Sequence, residues 1–270
     1  VGRLTHSFDG HVDSQLFIRR GGRLLPTPEA EALFRGIARV YPGLTHLSKL
    51  MQNIALTDSG LIRIIATMPM VQRLVPEALR AFHEQMPQIR ISVKTIVKRE
   101  LREWLDGQQF DVGLATLPVD YPAANILPLA SLNCACVLPP EHPLGEAEVV
   151  YAQDLAQEPF ISIIPDTVLR RRVDQVFDQL GVQRRLMIET QSGAAICDMV
   201  AAGLGVSVVE VFTASAFADK GVIVKPFRPA INLQFGLLMP VQRPQSHAVE
   251  TLIDALRERA RGFEESYRAF

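Results

Sequence analysis

The chain has 270 residues, 48% of them hydrophobic and 21% charged, with a formal net charge of −1. A near-neutral total excludes a protein that coats nucleic acid along its whole length, so any basic function must be local. The apolar runs are short and broken by charges, which excludes a membrane-spanning helix.

The length predicts two or three compact units. The first residues lack a cationic start followed by an apolar stretch, so they do not read as a secretory signal. An opening at Val1 reads as a fragment or a processed form. Cys134, Cys136 and Cys197 are an odd set without CxxC spacing, which favours reduced thiols and a cytosolic setting over a disulfide frame.

In chain order, "VGRLTHSFDGHV" reads as the tail of a helix, because Val1, Leu4, Phe8 and Val12 share one helical face. "QLFIRRGGRLLPT" follows, with strand-like residues on both sides of Gly21-Gly22, the pattern of a two-residue hairpin. Arg19, Arg20 and Arg23 make it basic. A helix followed by a basic hairpin is the layout of a winged helix, whose wing grips phosphates while a recognition helix enters the major groove. The alternative is a solvated hairpin with no partner. Thr27 is a good N-cap, Pro28 fits the first helical position, and Glu29 and Glu31 suit the positive helix end. Leu33, Ile37, Val40, Leu44, Leu47, Met51 and Ile54 then recur at spacings of 4, 3, 4, 3, 4 and 3. That heptad seam predicts two such helices side by side in a dimer, against the alternative of a helix packed within one subunit. Pro42 should kink or split the helix near Val40.

From Leu61 strands and helices alternate. "LIRIIAT" is a strand, residues 70–85 a helix, "IRISVKTIV" a strand, "RELREWLDG" a short helix and "FDVGLAT" a strand. After a proline-rich connection, "CACVLPPEHPL" reads as a strand entering a loop. A second series follows: "PFISII", a helix over 168–180, "RRLMIET", a helix over 194–203, and "GVSVVE". The strand "LQFGLLMP" and a helix from Ser246 to Phe263 close the chain. Two series of βα units predict an α/β protein with two lobes of parallel-rich sheet.

The strand ends carry the candidate chemistry. "LIRIIAT" ends at Thr67, followed by Met68-Pro69, and "VGLAT" ends at Thr116. "FISII" runs into Pro165-Asp166-Thr167, and "MIET" into Gln191-Ser192. Ligands in open α/β sheets bind beyond the carboxyl ends of strands, where helix N-termini attract carboxylates or phosphates. Ser, Thr and Gln there supply short neutral hydrogen bonds that fix orientation. Taken singly, each of these residues is equally well read as a plain cap. Glu210, ending "GVSVVE" in an apolar context, could receive a cationic group or lie in solvent; Asp166 is a second candidate for that role. The combination predicts a zwitterionic, amino-acid-like ligand.

Other chemistries lack their patterns. "GLGVSV" misses the third glycine of a dinucleotide fingerprint, and there is neither a P-loop nor a GxSxG elbow. The six histidines are scattered singly, so no metal and no cofactor is expected. Cys134 and Cys136 alternate on one strand and read as small buried hydrophobes, and Trp104 reads as core.

The stretch "LFIRRGGRLLPTPEAEALF", with its "LF-x-R" and "PT-x-E/A" elements, resembles the wing and linker-helix start of the LysR-type transcriptional regulators, and "VGRLT" resembles the end of their recognition helix. "LPPEHPLGEAEVVYAQDLAQEPFI" resembles the interlobe hinge of the family's periplasmic-binding-protein-like effector domain, and "ETQSGAAICDMVAAGLGVSVVE" its opine- and lysine-responsive branch. The resemblance implies a partial winged helix-turn-helix over 1–26, a dimerisation helix over 27–59 and an effector domain over 60–270. Within the last it implies one lobe at about 60–133 and 236–270 and another at about 134–235. It places Arg3 near the DNA backbone, and Thr67, Thr116, Gln191 and Ser192 in the effector cleft. It further implies a cytoplasmic homodimer or homotetramer that binds operator DNA and a small effector without catalysing a reaction. A solute-binding protein of the same fold is the runner-up, and an enzyme of that architecture the third reading.

Overall fold

The computed structural model describes residues 16–20, 23–32, 60–107, 109–119, 124–241 and 245–270. The chain divides into two units, Val1–Ser59 and Gly60–Phe270, each described by itself.

In the first unit, β1 (Phe17–Arg20) and β2 (Arg23–Pro26) pair antiparallel, with Phe17 opposite Pro26 and Arg20 opposite Arg23. Residues 28–32 are helical. Thr27 caps them as its position predicts: its Oγ1 accepts from the amide of Ala30 at 3.3 Å, and its carbonyl from that of Glu31 at 3.1 Å. The same hydroxyl and amide donate to the carbonyl of Leu16 at 3.1 and 2.9 Å, which locks the strand pair to the helix start. Arg3, the two hairpin glycines and the seven heptad residues lie outside the described residues, as do the side chains of Arg19, Arg20 and Arg23.

The second unit opens on three parallel strands. β3 (Leu61–Thr67) lies between β4 (Arg90–Ile96) and β5 (Val112–Thr116), parallel to both. Its side chains alternate into two cores. Ile62, Ile64 and Ala66 join the main core, while Ile65 meets Leu101, Leu105 and Phe110 on the other face. Burial on both faces explains why "LIRIIAT" reads as a near-continuous apolar run.

Between β3 and β4 come two helices, α1 (Met68–Gln72) and α2 (Leu74–Gln85), where the sequence predicts a single one. The chain breaks at Arg73 (φ −135°) because Pro76 has no N–H and would clash with the carbonyl of Gln72 in a continuous helix. In the first turn of a fresh helix that missing N–H costs nothing. α3 (Lys98–Gly107) links β4 to β5, and Trp104 packs half-buried beside the second core with the Lys94 ammonium 4.0 Å from its ring.

β6 (Ala124–Leu138) is three times the strand length expected and is shared by both lobes. Residues 124–133 pair with β12 (Asn232–Pro240), which also pairs with β5. Residues 134–138 are flanked by β10 (Ser207–Glu210) and β11 (Ile223–Arg228). Pro128 reads against a strand interior, yet the register shifts between Phe235 and Gly236 and leaves Leu129 as an extra residue. A bulge of this kind tolerates a proline and bends the strand as it leaves one lobe for the other.

The second lobe continues with β7 (Val150–Tyr151) beside β11, then β8 (Pro159–Ile163) parallel to β9 (Arg185–Thr190). A parallel bridge from Phe160 to Val206 carries this pair on to β10. Gly205 makes that approach feasible. Its φ is +152°, and a Cβ there would stand 2.2 Å from the carbonyl oxygen of Pro159, which accepts from the amide of Val206.

α4 (Val168–Gln179), α5 (Gly193–Ala201) and the short α6 (Val211–Ser215) follow β8, β9 and β10. The chain ends in α7 (His247–Ser266), capped by Ser246, whose Val249, Leu252, Leu256, Ala260 and Phe263 form one buried face.

Candidate functional site

β3, β4 and β5 run parallel, so their carboxyl ends share one edge of the first lobe. β8 and β9 likewise end together in the second. The two edges meet at one cavity of about 500 Å³, within the range of small-molecule pockets. Thr67 and Met68 line it from the end of β3, and Thr116 from the end of β5. Asp166 and Thr167 enter from the turn before α4, Gln191 from the end of β9, and Glu210 from the end of β10. Ser192 does not line it: its Oγ turns to the helix and accepts from the amide of Ala195 at 3.3 Å. For that residue the plain capping role is the observed one.

The cavity has apolar walls that the strand-end signature does not flag. Ile96 ends β4 and Val97 follows it, Leu101 comes from α3, and Ile164, Val168 and Leu169 surround the polar pair Asp166-Thr167. The "IV-KRE" junction is also a strand end before a helix, so topology marks Ile96 and Val97 where residue type does not.

The polar groups differ in what already holds them. Thr167 is spent on structure, its Oγ1 accepting from the Arg170 amide at 3.0 Å. The Thr67 hydroxyl is buried, caps nothing, and has no hydrogen-bond partner among the described residues. A buried hydroxyl without a partner costs on the order of 1–3 kcal/mol, a cost that an incoming acceptor or donor would remove. Burial pushes the carboxyl of Glu210 above its usual range, against its own backbone amide and the neighbouring Thr213 hydroxyl, which pull it down. An acid so placed gains most from a cationic partner.

A charged network braces the second-lobe lip. Arg170, with 12% of its side chain exposed, donates from Nε to both oxygens of Asp174 at 2.8 and 2.9 Å. Its Nη1 donates to the carbonyl of Ile163 at 2.9 Å and to Glu189. Arg184 also binds Asp174, and its guanidinium lies 5.2 and 4.9 Å from the rings of Phe160 and Phe177. Burial works to lower the pKa of Arg170, but Glu189 and Asp174 outweigh it and hold the guanidinium charged. One side chain thereby ties the end of β8, the start of α4 and the penultimate residue of β9, whose neighbours line the cavity.

The cysteines are inert. All three are free and buried. Burial, with Glu210 a lesser cause, raises Cys134 well above the usual thiol range and Cys197 to about 12.

Residues 56–261 match the family model described as the LysR substrate binding domain. The chain is 30% identical to the regulatory protein NocR of Agrobacterium tumefaciens (strain T37) over 95% of its own length and 87% of that protein's. The chain belongs to the LysR family of transcriptional regulators. It is 32% identical to the transcriptional activator protein LysR of Escherichia coli K12, covering 93% of this chain and 80% of that one. It is 24% identical to OccR of Rhizobium meliloti, an octopine catabolism/uptake operon regulatory protein, over 87% of this chain and 77% of that one. The fold is that of the effector-binding domain of QuiR in complex with shikimate, with a TM-score of 0.62 and 20% identity over 75% of this chain and 98% of that one. The cavity of this LysR-family chain therefore lies in the domain that family members use for effectors.

Proposed function

We propose that the cavity between the lobes receives a small zwitterionic effector derived from an amino acid, of the opine class, and that its occupancy sets the DNA-binding arrangement of the regulator. The observation that carries this reading is the meeting of an unpartnered Thr67 hydroxyl and a buried Glu210 carboxyl in one cavity of about 500 Å³. Glu210, with Asp166, receives the ammonium or guanidinium group. Thr67, Met68, Thr116 and Gln191, with the helix start at Thr167, hold the carboxylate end. The relatives support the class: one governs octopine use, and another effector domain of this fold holds the carboxylic acid shikimate.

No group of the cavity is asked to break a bond; the effector acts through the difference in its affinity for two arrangements of the protein. Residues 60–270 carry the effector site and residues 27–59 the dimer seam, through Leu33, Ile37, Val40, Leu44, Leu47, Met51 and Ile54. The wing arginines Arg19, Arg20 and Arg23, with Arg3, face the phosphates of operator DNA.

A thermal-shift screen of amino acids, opines and aromatic acids tests the effector class. An amino-acid-derived hit raises the melting temperature by mass action, and Thr67→Val removes most of the gain. A response to aromatic acids alone overturns the class. For the wing, Arg19, Arg20 and Arg23 changed together to Ala in a regulator carrying its whole DNA-binding domain should reduce the salt slope of binding by about 3. An unchanged slope overturns that assignment.

A further inference from the structure

A second cavity, of about 750 Å³, runs along a different stretch of α4. Val168, Arg172, Gln175 and Gln179 line it at spacings of 4, 3 and 4, a single helical face. The opposite wall comes from the first lobe and the crossover: Leu117 and Val119 beyond β5, and residues 229–234 leading into β12. Val168 belongs to both linings and separates this cavity from the effector cleft.

Its chemistry is unlike the cleft's. Arg172 is the one charged residue among those lining it, and none is acidic. On the same helix Arg170 is consumed by Asp174 and Glu189, and Arg184 reaches across to Asp174 as well. Arg172 has no carboxylate partner among the described residues. Arg172, Gln175, Gln179 and Gln234 line the cavity as solvent-exposed residues, together with half-buried Leu117, Val119 and Val176. A lone guanidinium with amide donors over an apolar floor, in a concavity of ligand size, suits an anionic head on an apolar body.

We propose that this cavity is a second small-molecule site, for an amphipathic organic anion whose carboxylate or sulfonate pairs with Arg172. An occupant touches α4 of the second lobe and the end of β5 in the first at once. Its affinity therefore depends on the angle between the lobes, and by reciprocity it biases that angle. The existence of the site does not depend on which ligand fills the cleft.

The test uses the whole 270-residue chain titrated with 1-anilinonaphthalene-8-sulfonate and followed by fluorescence. Saturable binding of one probe per chain is expected. Arg172→Glu should weaken it at least tenfold, and Ala230→Trp, which fills the cavity without altering charge, should abolish it. Arg171→Glu, a neighbour outside the lining, should leave Kd within about twofold, a control for net charge. The uncharged N-phenyl-1-naphthylamine should bind at least tenfold more weakly than the sulfonate. Circular-dichroism melting confirms that each variant is folded. Equal affinity in Arg172→Glu, equal loss in Arg171→Glu, or equal affinity for the uncharged probe overturns the proposal.

Discussion

The two lips of the cleft are built on opposite plans. On the second lobe, three of the groups around the cleft are already held before any ligand arrives, with Glu210 the exception: Thr167 caps α4, Ser192 caps α5, and Arg170 binds two carboxylates and a carbonyl. On the first lobe the Thr67 hydroxyl is buried and has no partner among the described residues, and the apolar Ile96, Val97 and Ala115 line the cavity from the same lobe. One lip is a braced surface and the other an unsatisfied one. Ligand affinity should come from the second kind of group and ligand orientation from the first, because only an unmet hydrogen bond gains fully on binding.

The sharpest way to break that contrast is to remove the brace. Arg170→Met leaves Asp174 with Arg184 alone, strands Glu189, and frees the carbonyl of Ile163. The carboxylates are one-third and two-fifths exposed, so the cost falls between a surface pair and a buried one, about 2–3 kcal/mol. For an effector domain of this size that lowers the melting temperature by roughly 5–10 °C. Arg170→Lys keeps the charge but loses the planar fork and should fall between the two. A melting temperature unchanged in Arg170→Met removes the brace from the account.

Two threonines offer a paired test of intermediate size. Thr167→Val removes a cap and should cost about 1 kcal/mol of stability. Thr67→Val removes a hydroxyl that none of the described residues uses, so stability holds or rises slightly while effector affinity falls about tenfold, or about 1.4 kcal/mol. Chemical denaturation and effector titration, run on both variants, read the two quantities separately. If Thr67→Val unfolds the domain as readily as Thr167→Val, the lips are not different in kind. Ser192→Ala belongs with the caps: a loss of about 1 kcal/mol in stability and no more than about twofold in affinity.

The contrast also explains which parts of the site were legible in sequence. Thr67, Thr116, Gln191 and Glu210 sit where a strand run stops, and parallel strands gather such stops on one edge, so position alone groups them. Leu101, Leu169 and Ile164 share the cavity but look like any core residue, since an apolar ligand wall and an apolar core use the same side chains. Gln191 and Ser192 are adjacent, yet one faces the cavity and the other its helix, a choice made by backbone direction. The brace was hidden for another reason. Arg170 and Asp174 are four apart on a helix and read as an ordinary surface pair. Their significance depends on Arg184 and Glu189, which only the folded chain brings alongside. Pro128 concealed the first two-thirds of β6 because its tolerance rests on a bulge set by the partner strand.

Glu210 gives the smallest and most diagnostic effect, since folding displaces its proton equilibrium. Burial raises its folded pKa above the ordinary 4.5. Below that value the acid is protonated in both folded and unfolded chains, and its contribution is fully present. As pH rises, the unfolded chain releases the proton first, so stability falls until the folded pKa is passed. Glu210→Gln lacks this loss. The melting temperatures of the two proteins should therefore run parallel below about pH 4.5 and separate above it, with the Gln variant the higher at neutral pH. A cationic effector reverses the penalty by favouring the ionised form. Its affinity should climb with pH across the same window in the parent chain and stay flat in Glu210→Gln. A climb that persists in the variant would move the cation to Asp166; no climb in either would leave the cleft without a cation seat.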